Sequence, residues 1–171
     1  MPQAEEFGVN TLDEVLILRE NGYLQPTNLF APLLTPDVLR FCASHQVRPT
    51  IFDHAHFSLL DEVSDVKGLE VWLKVDTGMG RLGFAPAEIH SVYERLNNCS
   101  AVSAIHLMSH LGSADTPSSA ANQQQFELFR QFDSLSGVGD RSILNSAGVV
   151  SFASQAREWV RPGVMLYGIS P

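Results

Sequence analysis

Short apolar runs alternate with helical patterns along the chain. Seven runs rich in β-branched, aromatic and other apolar residues predict strands at Phe7–Val9, Asn28–Phe30, Pro49–Phe52, Val71–Val75, Ala104–Leu107, Ile143–Leu144 and Val164–Tyr167. Their starts are 21 to 39 residues apart, which leaves room for one helix and two loops in each interval. Because the runs are short and continuously apolar, they are typical of parallel strands that are buried on both faces.

Helix start signals fall in the intervals between these runs. Thr11 and Glu14 have the spacing of a capping box, and Pro36 and Pro86 stand at first helical positions. A further helix is predicted over Gln123–Leu135. The alternation of strand and helix predicts an α/β fold.

Two α/β architectures fit seven strand–helix steps, a (β/α) barrel and a doubly wound sheet. A doubly wound sheet would need a glycine-rich phosphate turn after its first strand, and the segment Phe7–Leu12 has none. The pattern therefore favours a barrel. A complete barrel has eight strands over about 250 residues, so this chain of 171 residues is one strand short.

Composition and charge exclude several classes of partner. No apolar run is long enough to cross a membrane, and no signal peptide is recognisable at the start. The net charge of −8 argues against nucleic acid but leaves room for a small anionic cofactor held by local cations. Cys42 and Cys99 have no metal-type spacing, and we expect reduced thiols in a cytoplasmic protein without a metal.

Functional groups of a barrel project from the carboxyl ends of its strands. The segment Asn145–Gly148 opens a short helix, whose free N–H groups can hold a phosphate together with the Ser146 hydroxyl. Gly163, with Val164, would let the last strand approach the same phosphate. Arg161 can donate to a ring nitrogen. These groups suit a planar, anionic ligand.

Each assignment has an ordinary structural alternative. Lys74 and Arg81 are equally well explained as two solvated cations beside a glycine turn. His110 can lie against the face of a ring, but a histidine at a strand end is more often structural. Ser146 is also a common helix cap, and Arg161 can be a surface residue.

Taken together, these segments resemble alanine racemases. The matching stretches occur in the family's order and spacing, and they are Phe7–Glu14, Leu73–Phe84, Ser109–His110, Ala114–Asp115, Asn145–Gly148 and Val160–Gly168. The resemblance implies that 1–171 is part of the family's N-terminal barrel domain, which binds pyridoxal 5′-phosphate. It further implies an isomerase that interconverts L- and D-alanine for peptidoglycan synthesis, as a homodimer.

The resemblance also implies roles for the cationic residues. Arg161 is similar to the arginine that donates to the pyridine nitrogen of the cofactor. Arg81 looks like the residue that bonds the cofactor's phenolic oxygen and lies near the substrate carboxylate. Lys74 resembles a lysine that is often carboxylated, and the resulting carbamate would hold Arg81 in place.

The remaining candidates would contact the ring and the phosphate. His110 would pack against the ring of the cofactor. Ser146, Gly163 and Val164 would bind the phosphate, with Asn145 beside them.

Two family features have no counterpart in this sequence. The lysine that binds the cofactor covalently lies at the end of the family's first barrel strand, and Lys67 and Lys74 are the only lysines here. The second base is a tyrosine from the partner subunit's C-terminal domain. We therefore expect a barrel that lacks its first strand and has no C-terminal β domain, and a chain that is inactive by itself.

Two alternatives to a racemase fragment remain open. One is a non-catalytic barrel fragment that binds pyridoxal phosphate or associates with itself through its open edge. The other is a related barrel enzyme, such as a broad-specificity amino-acid racemase or a decarboxylase.

Overall fold

A computed structural model describes residues 4–30 and 33–171 of the chain. The described strands are β1 Phe7–Val9, β2 Thr27–Leu29, β3 Val47–Ile51, β4 Leu69–Lys74, β5 Val102–Met108, β6 Arg141–Asn145 and β7 Trp159–Arg161. The α-helices are α1 Leu12–Glu20, α2 Pro36–Ser44, α3 Ala55–Glu62, α4 Ile89–Asn97, α5 Ala120–Arg130 and α6 Ser146–Ser151. Short 3-10 helices cover Pro86–Glu88, Ala153–Gln155 and Val164–Tyr167.

The chain divides into two compact units. The first unit consists of Met1–Leu73 with Tyr93–Ile105, and the second consists of Lys74–Val92 with His106–Pro171. In the first unit, β1 to β4 pair in parallel and in chain order. Because consecutive strands are neighbours and run in the same direction, each connection must cross back over the sheet, and helices make these connections.

The strands of the second unit also pair in parallel and in chain order. Val75 N donates to Met108 O after the end of β4, and β5, β6 and β7 pair in parallel in chain order. A doubly wound sheet would reverse its strand order, whereas a (β/α) barrel keeps it. The α/β barrel-type fold that the sequence predicts is therefore confirmed. The described residues contain no separate β domain.

Each unit has its own apolar core. In the first unit, the buried side chains come from the strands and from the inner faces of the helices, among them Val15, Leu29, Leu39, Ile51, Leu60, Leu73 and Leu96. In the second unit they include Leu107, Met108, Phe126, Phe129, Phe132, Ile143 and Leu144. None of the helices in the described part of the chain is both long and apolar enough to cross a membrane.

The predicted helix start signals act as expected. Thr11 and Glu14 form the capping box, because Thr11 Oγ1 accepts from Glu14 N at 3.3 Å and Glu14 Oε2 accepts from Thr11 N at 3.0 Å. Pro36 stands in the first turn of α2, which Thr35 caps. Pro86 opens a 3-10 turn that leads into α4.

The prediction of the last strand was wrong. Val164–Tyr167 forms a 3-10 helix, and β7 lies earlier, at Trp159–Arg161. Pro162 lacks the N–H that would continue the strand ladder, and Gly163 adopts helical backbone angles (φ −56°, ψ −69°). The apolar run that suggested a strand is exposed, with Leu166 at 77% and Tyr167 at 84%.

The remaining differences are shifts of a few residues. The helix predicted over Gln123–Leu135 begins earlier, at Ala120, and ends at Arg130. Phe132 is buried although it lies in the turns that follow the helix. The other six strands overlap their predicted positions, and their ends differ from the predicted ones by at most two residues.

A polar cluster lies inside the first unit. Arg48 bonds Glu6 Oε2 at 2.8 Å with Nη1, and its Nε and Nη2 both lie 2.7 Å from Glu70 Oε2. Trp72 Nε1 also donates to Glu6, at 3.4 Å. Two carboxylates therefore neutralise this arginine within its own unit.

Candidate functional site

The carboxyl ends of four strands carry the candidate side chains. Lys74 ends β4, His110 follows β5, Asn145 ends β6 and Arg161 ends β7. All four residues belong to the second unit. Parallel strands bring their carboxyl ends to the same edge of a sheet, and this topology collects the four side chains.

A glycine turn follows β4 and carries Arg81. The Asp76 carboxylate accepts from Gly78 N and Gly80 N, both at 2.9 Å. Gly83 has a φ of +129°, and a Cβ there would lie 2.7 Å from Asp76 N. Asp76 and Gly83 therefore fix the turn, while the Arg81 side chain is exposed.

Lys74 is a buried cation without an ion pair among the described residues. Burial lowers the pKa of Lys74 to about 8, and the positive charges of Arg81 and Arg161 contribute to the shift. Asp76 opposes the shift only in part. A substantial fraction of Lys74 is therefore a neutral amine at mildly alkaline pH.

Arg161 is held by uncharged acceptors. Its guanidinium donates to Ser142 Oγ and to the backbone carbonyl of Ser109. Burial lowers the pKa of Arg161 to about 10, so the group remains a cation at neutral pH. Among residues 4–30 and 33–171, no carboxylate therefore forms an ion pair that balances its charge.

His110 is a neutral imidazole with a defined tautomer. Burial lowers the pKa of His110 to about 4, and the positive charges of Arg161, Lys74 and Arg81 lower it further. Asn145 Oδ1 accepts from Gly148 N at 2.9 Å, which turns the amide nitrogen toward His110 Nε2 at 3.4 Å. Nε2 is then the acceptor, and Nδ1 carries the proton.

The predicted phosphate residues lie at the starts of two short helices. Ser146 begins α6 and is buried, and its Oγ lies 3.4 Å from Met165 N. This contact brings Ser146 beside the 3-10 helix that Gly163 and Val164 open. Gly163 is not the close-approach glycine of a strand, because a Cβ there would meet nothing within 4 Å.

Four buried polar residues at this edge were not predicted as site residues. They are Thr77, Ser109, Gln125 and Ser142, each at 1–2% exposure. Thr77 and Ser109 lie in segments that the sequence singled out, but nothing in the sequence assigns them a role. Gln125 did leave a signal, since it occupies the helix face that also carries Phe126 and Phe129, where an apolar residue is expected.

The arrangement combines positive charge with neutral donors. Lys74, Arg81 and Arg161 influence one another or His110 electrostatically, and none has an ion pair within the described ranges. Across those same ranges, no group of three His, Cys, Asp or Glu residues is placed to hold a metal ion. Such a donor set suits an anionic ligand with hydrogen-bond acceptors.

Curated sequences similar to this chain include several alanine racemases. The chain is 37% identical over 170 residues to an alanine racemase of Shewanella frigidimarina, and 98% of the chain but 45% of that protein is matched. An alanine racemase of Legionella pneumophila is 39% identical over 168 residues, with 98% and 47% matched. The biosynthetic alanine racemase of Escherichia coli is 33% identical, with 100% and 48% matched. The chain thus spans about half the length of the curated relatives it matches.

Solved structures give the same result. The biosynthetic alanine racemase of Pseudomonas aeruginosa superposes with a TM-score of 0.88 at 30% identity, covering 96% of this chain and 46% of that one. Alanine racemase from Acinetobacter baumannii superposes with a TM-score of 0.85 at 30% identity, covering 98% and 47%.

The family model of the alanine racemase N-terminal domain matches residues 1–171. This match covers the whole chain, including all four strand ends described above. The chain therefore belongs to the family of alanine racemase N-terminal domains.

Proposed function

We propose that this chain binds pyridoxal 5′-phosphate at the carboxyl ends of β4 to β7 and forms the cofactor domain of an alanine racemase. The observation that carries the proposal is the group of three cations around a neutral imidazole, none of which forms an ion pair with a carboxylate in the part of the chain that the structure describes. Pyridoxal phosphate has a dianionic phosphate, a phenolate oxygen and a flat ring with an acceptor nitrogen. The donor set fits each of these parts.

In this proposal, Arg161 donates to the ring nitrogen. Its contacts with Ser142 and Ser109 O fix the guanidinium between β5 and β6. Because an arginine keeps its proton, it leaves the ring nitrogen unprotonated. The bound cofactor supplies an electron-withdrawing ring that stabilises negative charge on the amino-acid Cα, and Arg161 would moderate that effect.

His110 and Arg81 would contact the two sides of the same ligand. A neutral His110 offers a flat, uncharged surface for the ring, and its Asn145 contact keeps that surface in one orientation. Arg81, at the exposed tip of the glycine turn, would donate to the phenolate oxygen and to the carboxylate of the amino-acid substrate.

Lys74 would be carboxylated. A neutral amine adds to carbon dioxide and releases a proton to solvent as it becomes a carbamate, and burial has already lowered the pKa of Lys74 to about 8. The carbamate would replace a buried positive charge with a negative one within electrostatic reach of Arg81 and Arg161. This change would turn a repulsive cluster into an ion-paired one and would fix Arg81.

The phosphate would be held by Ser146, Asn145 and the backbone at Gly163 and Val164. The Ser146 hydroxyl lies between the starts of α6 and of the last 3-10 helix. Gly163 N already donates to Arg161 O at 2.9 Å, so in this arrangement Val164 N would be the stronger candidate of the two.

The activity proposed for the whole protein is the interconversion of L- and D-alanine, which supplies D-alanine for peptidoglycan. The names of the curated relatives support this reaction and substrate. A homodimeric, cytoplasmic enzyme is part of the same proposal.

A chimaera tests the proposed activity. This chain would replace the matching stretch of the Shewanella frigidimarina racemase, and formation of D-alanine from L-alanine would be measured by chiral chromatography. We expect racemisation that is lost when Arg161→Ala is introduced into the chimaera. A folded chimaera that binds pyridoxal phosphate but racemises a different amino acid would contradict the substrate, and Arg161→Ala without effect would contradict the site.

A further inference from the structure

A continuous hydrogen-bond network lies beneath the candidate site. It joins α5 to the glycine turn after β4 and to the loop after β5, all within the second unit. Its members are buried, and Gln125 and Thr77 are each 2% exposed. Because an unsatisfied polar group is costly at such depth, a network of this kind holds its members in fixed positions.

Gln125 uses both ends of its amide in this network. Its Oε1 accepts from Gly112 N at 2.9 Å. Its Nε2 donates to His110 O at 3.0 Å and to Thr77 Oγ1 at 3.2 Å. A single side chain therefore forms hydrogen bonds with the backbone on both sides of Leu111 and with Thr77 in the glycine turn.

The donor and the acceptor of each hydrogen bond in this network can be assigned. Ser109 Oγ donates to Val75 O at 2.9 Å, which uses its only proton. Thr77 Oγ1, at 2.7 Å from Ser109 Oγ, must then be the donor to that oxygen. Thr77 in turn accepts from Gln125, so each hydroxyl both donates and accepts.

The network ends on residues that the proposed function assigns to the cofactor. His110 is held through its own carbonyl, and Arg161 through the carbonyl of Ser109. Arg81 lies four residues after Thr77 on the turn that Thr77 anchors.

We infer that Gln125 is a positioning residue, which holds His110 directly and acts on Arg161 through Thr77 and Ser109, so that both are set against the glycine turn that bears Arg81. This inference rests on the proposed function for the identity of the ligand alone. An apolar side chain at position 125 would serve the packing of α5 equally well, since Phe126 and Phe129 flank it on the same face. The amide is therefore needed for the loops and not for the helix.

The test uses the full chain and two independent readouts. The first is the titration of His110 by NMR, which requires no ligand. The second is the dissociation constant of pyridoxal 5′-phosphate, measured by fluorescence. The variants are Gln125→Ala, Thr77→Val and Thr77→Ser, with exposed Gln124→Ala as the matched control.

We expect Gln125→Ala and Thr77→Val to raise the pKa of His110 from about 4 toward its ordinary value, because the ring would no longer be held in its buried position. Both variants should weaken cofactor binding by about tenfold, the size of one lost buried hydrogen bond. Thr77→Ser keeps the hydroxyl and should therefore give wild-type values in both readouts. Gln124→Ala should change neither readout.

An unchanged His110 titration and an unchanged dissociation constant in folded Gln125→Ala would overturn the inference. If Gln125→Ala does not fold, Thr77→Val carries the same test with Gln125 in place. If the wild-type chain binds no pyridoxal phosphate but the His110 titration shifts as expected, the positioning role stands and the proposed function fails.

Discussion

Two arginines, one in each unit, show how the same side chain serves structure or ligand binding. Arg48 is bonded to two carboxylates, those of Glu6 and Glu70, at 2.7 to 2.8 Å. Arg161 is bonded to a hydroxyl and a carbonyl, and neither acceptor carries a charge. Both guanidinium groups are fixed, but the charge of one is balanced and that of the other is not.

The difference indicates where the protein can bind an anion. A balanced cation such as Arg48 gains little from a further anion, whereas the unbalanced charges of Arg161, Lys74 and Arg81 repel one another until an anion arrives. The candidate site therefore keeps a local excess of positive charge in a chain whose net charge is −8.

Removing the balanced arginine should have the largest effect on folding. Arg48→Met leaves two carboxylates without their cation, and we expect the free energy of unfolding to fall by about 3 kcal/mol. Urea denaturation measures this change, and exposed Arg40→Ala, with its weak surface pairs, should cost less than about 1 kcal/mol. A loss of pyridoxal phosphate affinity in folded Arg48→Met would contradict the claim that Arg48 serves the structure and not ligand binding.

Two glycines, one in each unit, extend the comparison of the two units to the backbone. Gly83→Ala combines a φ of +129° with a contact of 2.7 Å to Asp76 N, and it should cost about 2 kcal/mol and displace the Arg81 turn. Gly22→Ala has a φ of +81° but open space, and should cost about 1 kcal/mol. Thermal unfolding of the two variants gives the ranking, and a Gly22 penalty equal to or above that of Gly83 would contradict it.

The unbalanced charge of Lys74 should appear as a dependence of stability on pH. The pKa of Lys74 falls from 10.5 to about 8 on folding, so between these values the unfolded chain binds a proton that the folded chain does not. Stability should therefore rise by about 1 kcal/mol for each pH unit within this window, in buffer free of carbon dioxide. Urea unfolding of Lys74→Met should lack this increase, and an identical slope in both proteins would refute it.

The sequence predicted most of the fold because local signals agreed with the global pattern. The capping box at Thr11 and the buried runs at β3 to β6 lie where they were expected. The prediction of the last strand was wrong because Val164–Tyr167 has the composition of a strand, while Pro162 and Gly163 impose a helical turn. An apolar run alone does not distinguish a buried strand from an exposed turn.

The candidate site was predictable where residues follow strand ends, and not where they act from a distance. Lys74, His110, Asn145 and Arg161 follow from topology. Gln125 lies on a helix, and its contacts with Gly112 and His110 depend on three-dimensional packing.

Titration of the chain with pyridoxal 5′-phosphate tests the central claim most directly. The account predicts saturable binding by the wild type, binding about 100-fold weaker in Arg161→Ala, and unchanged binding in Arg40→Ala. Circular dichroism would verify that each variant is folded. Equal affinity of the wild type and folded Arg161→Ala, or no binding by the wild type, would contradict the claim that the unbalanced cations form the cofactor site.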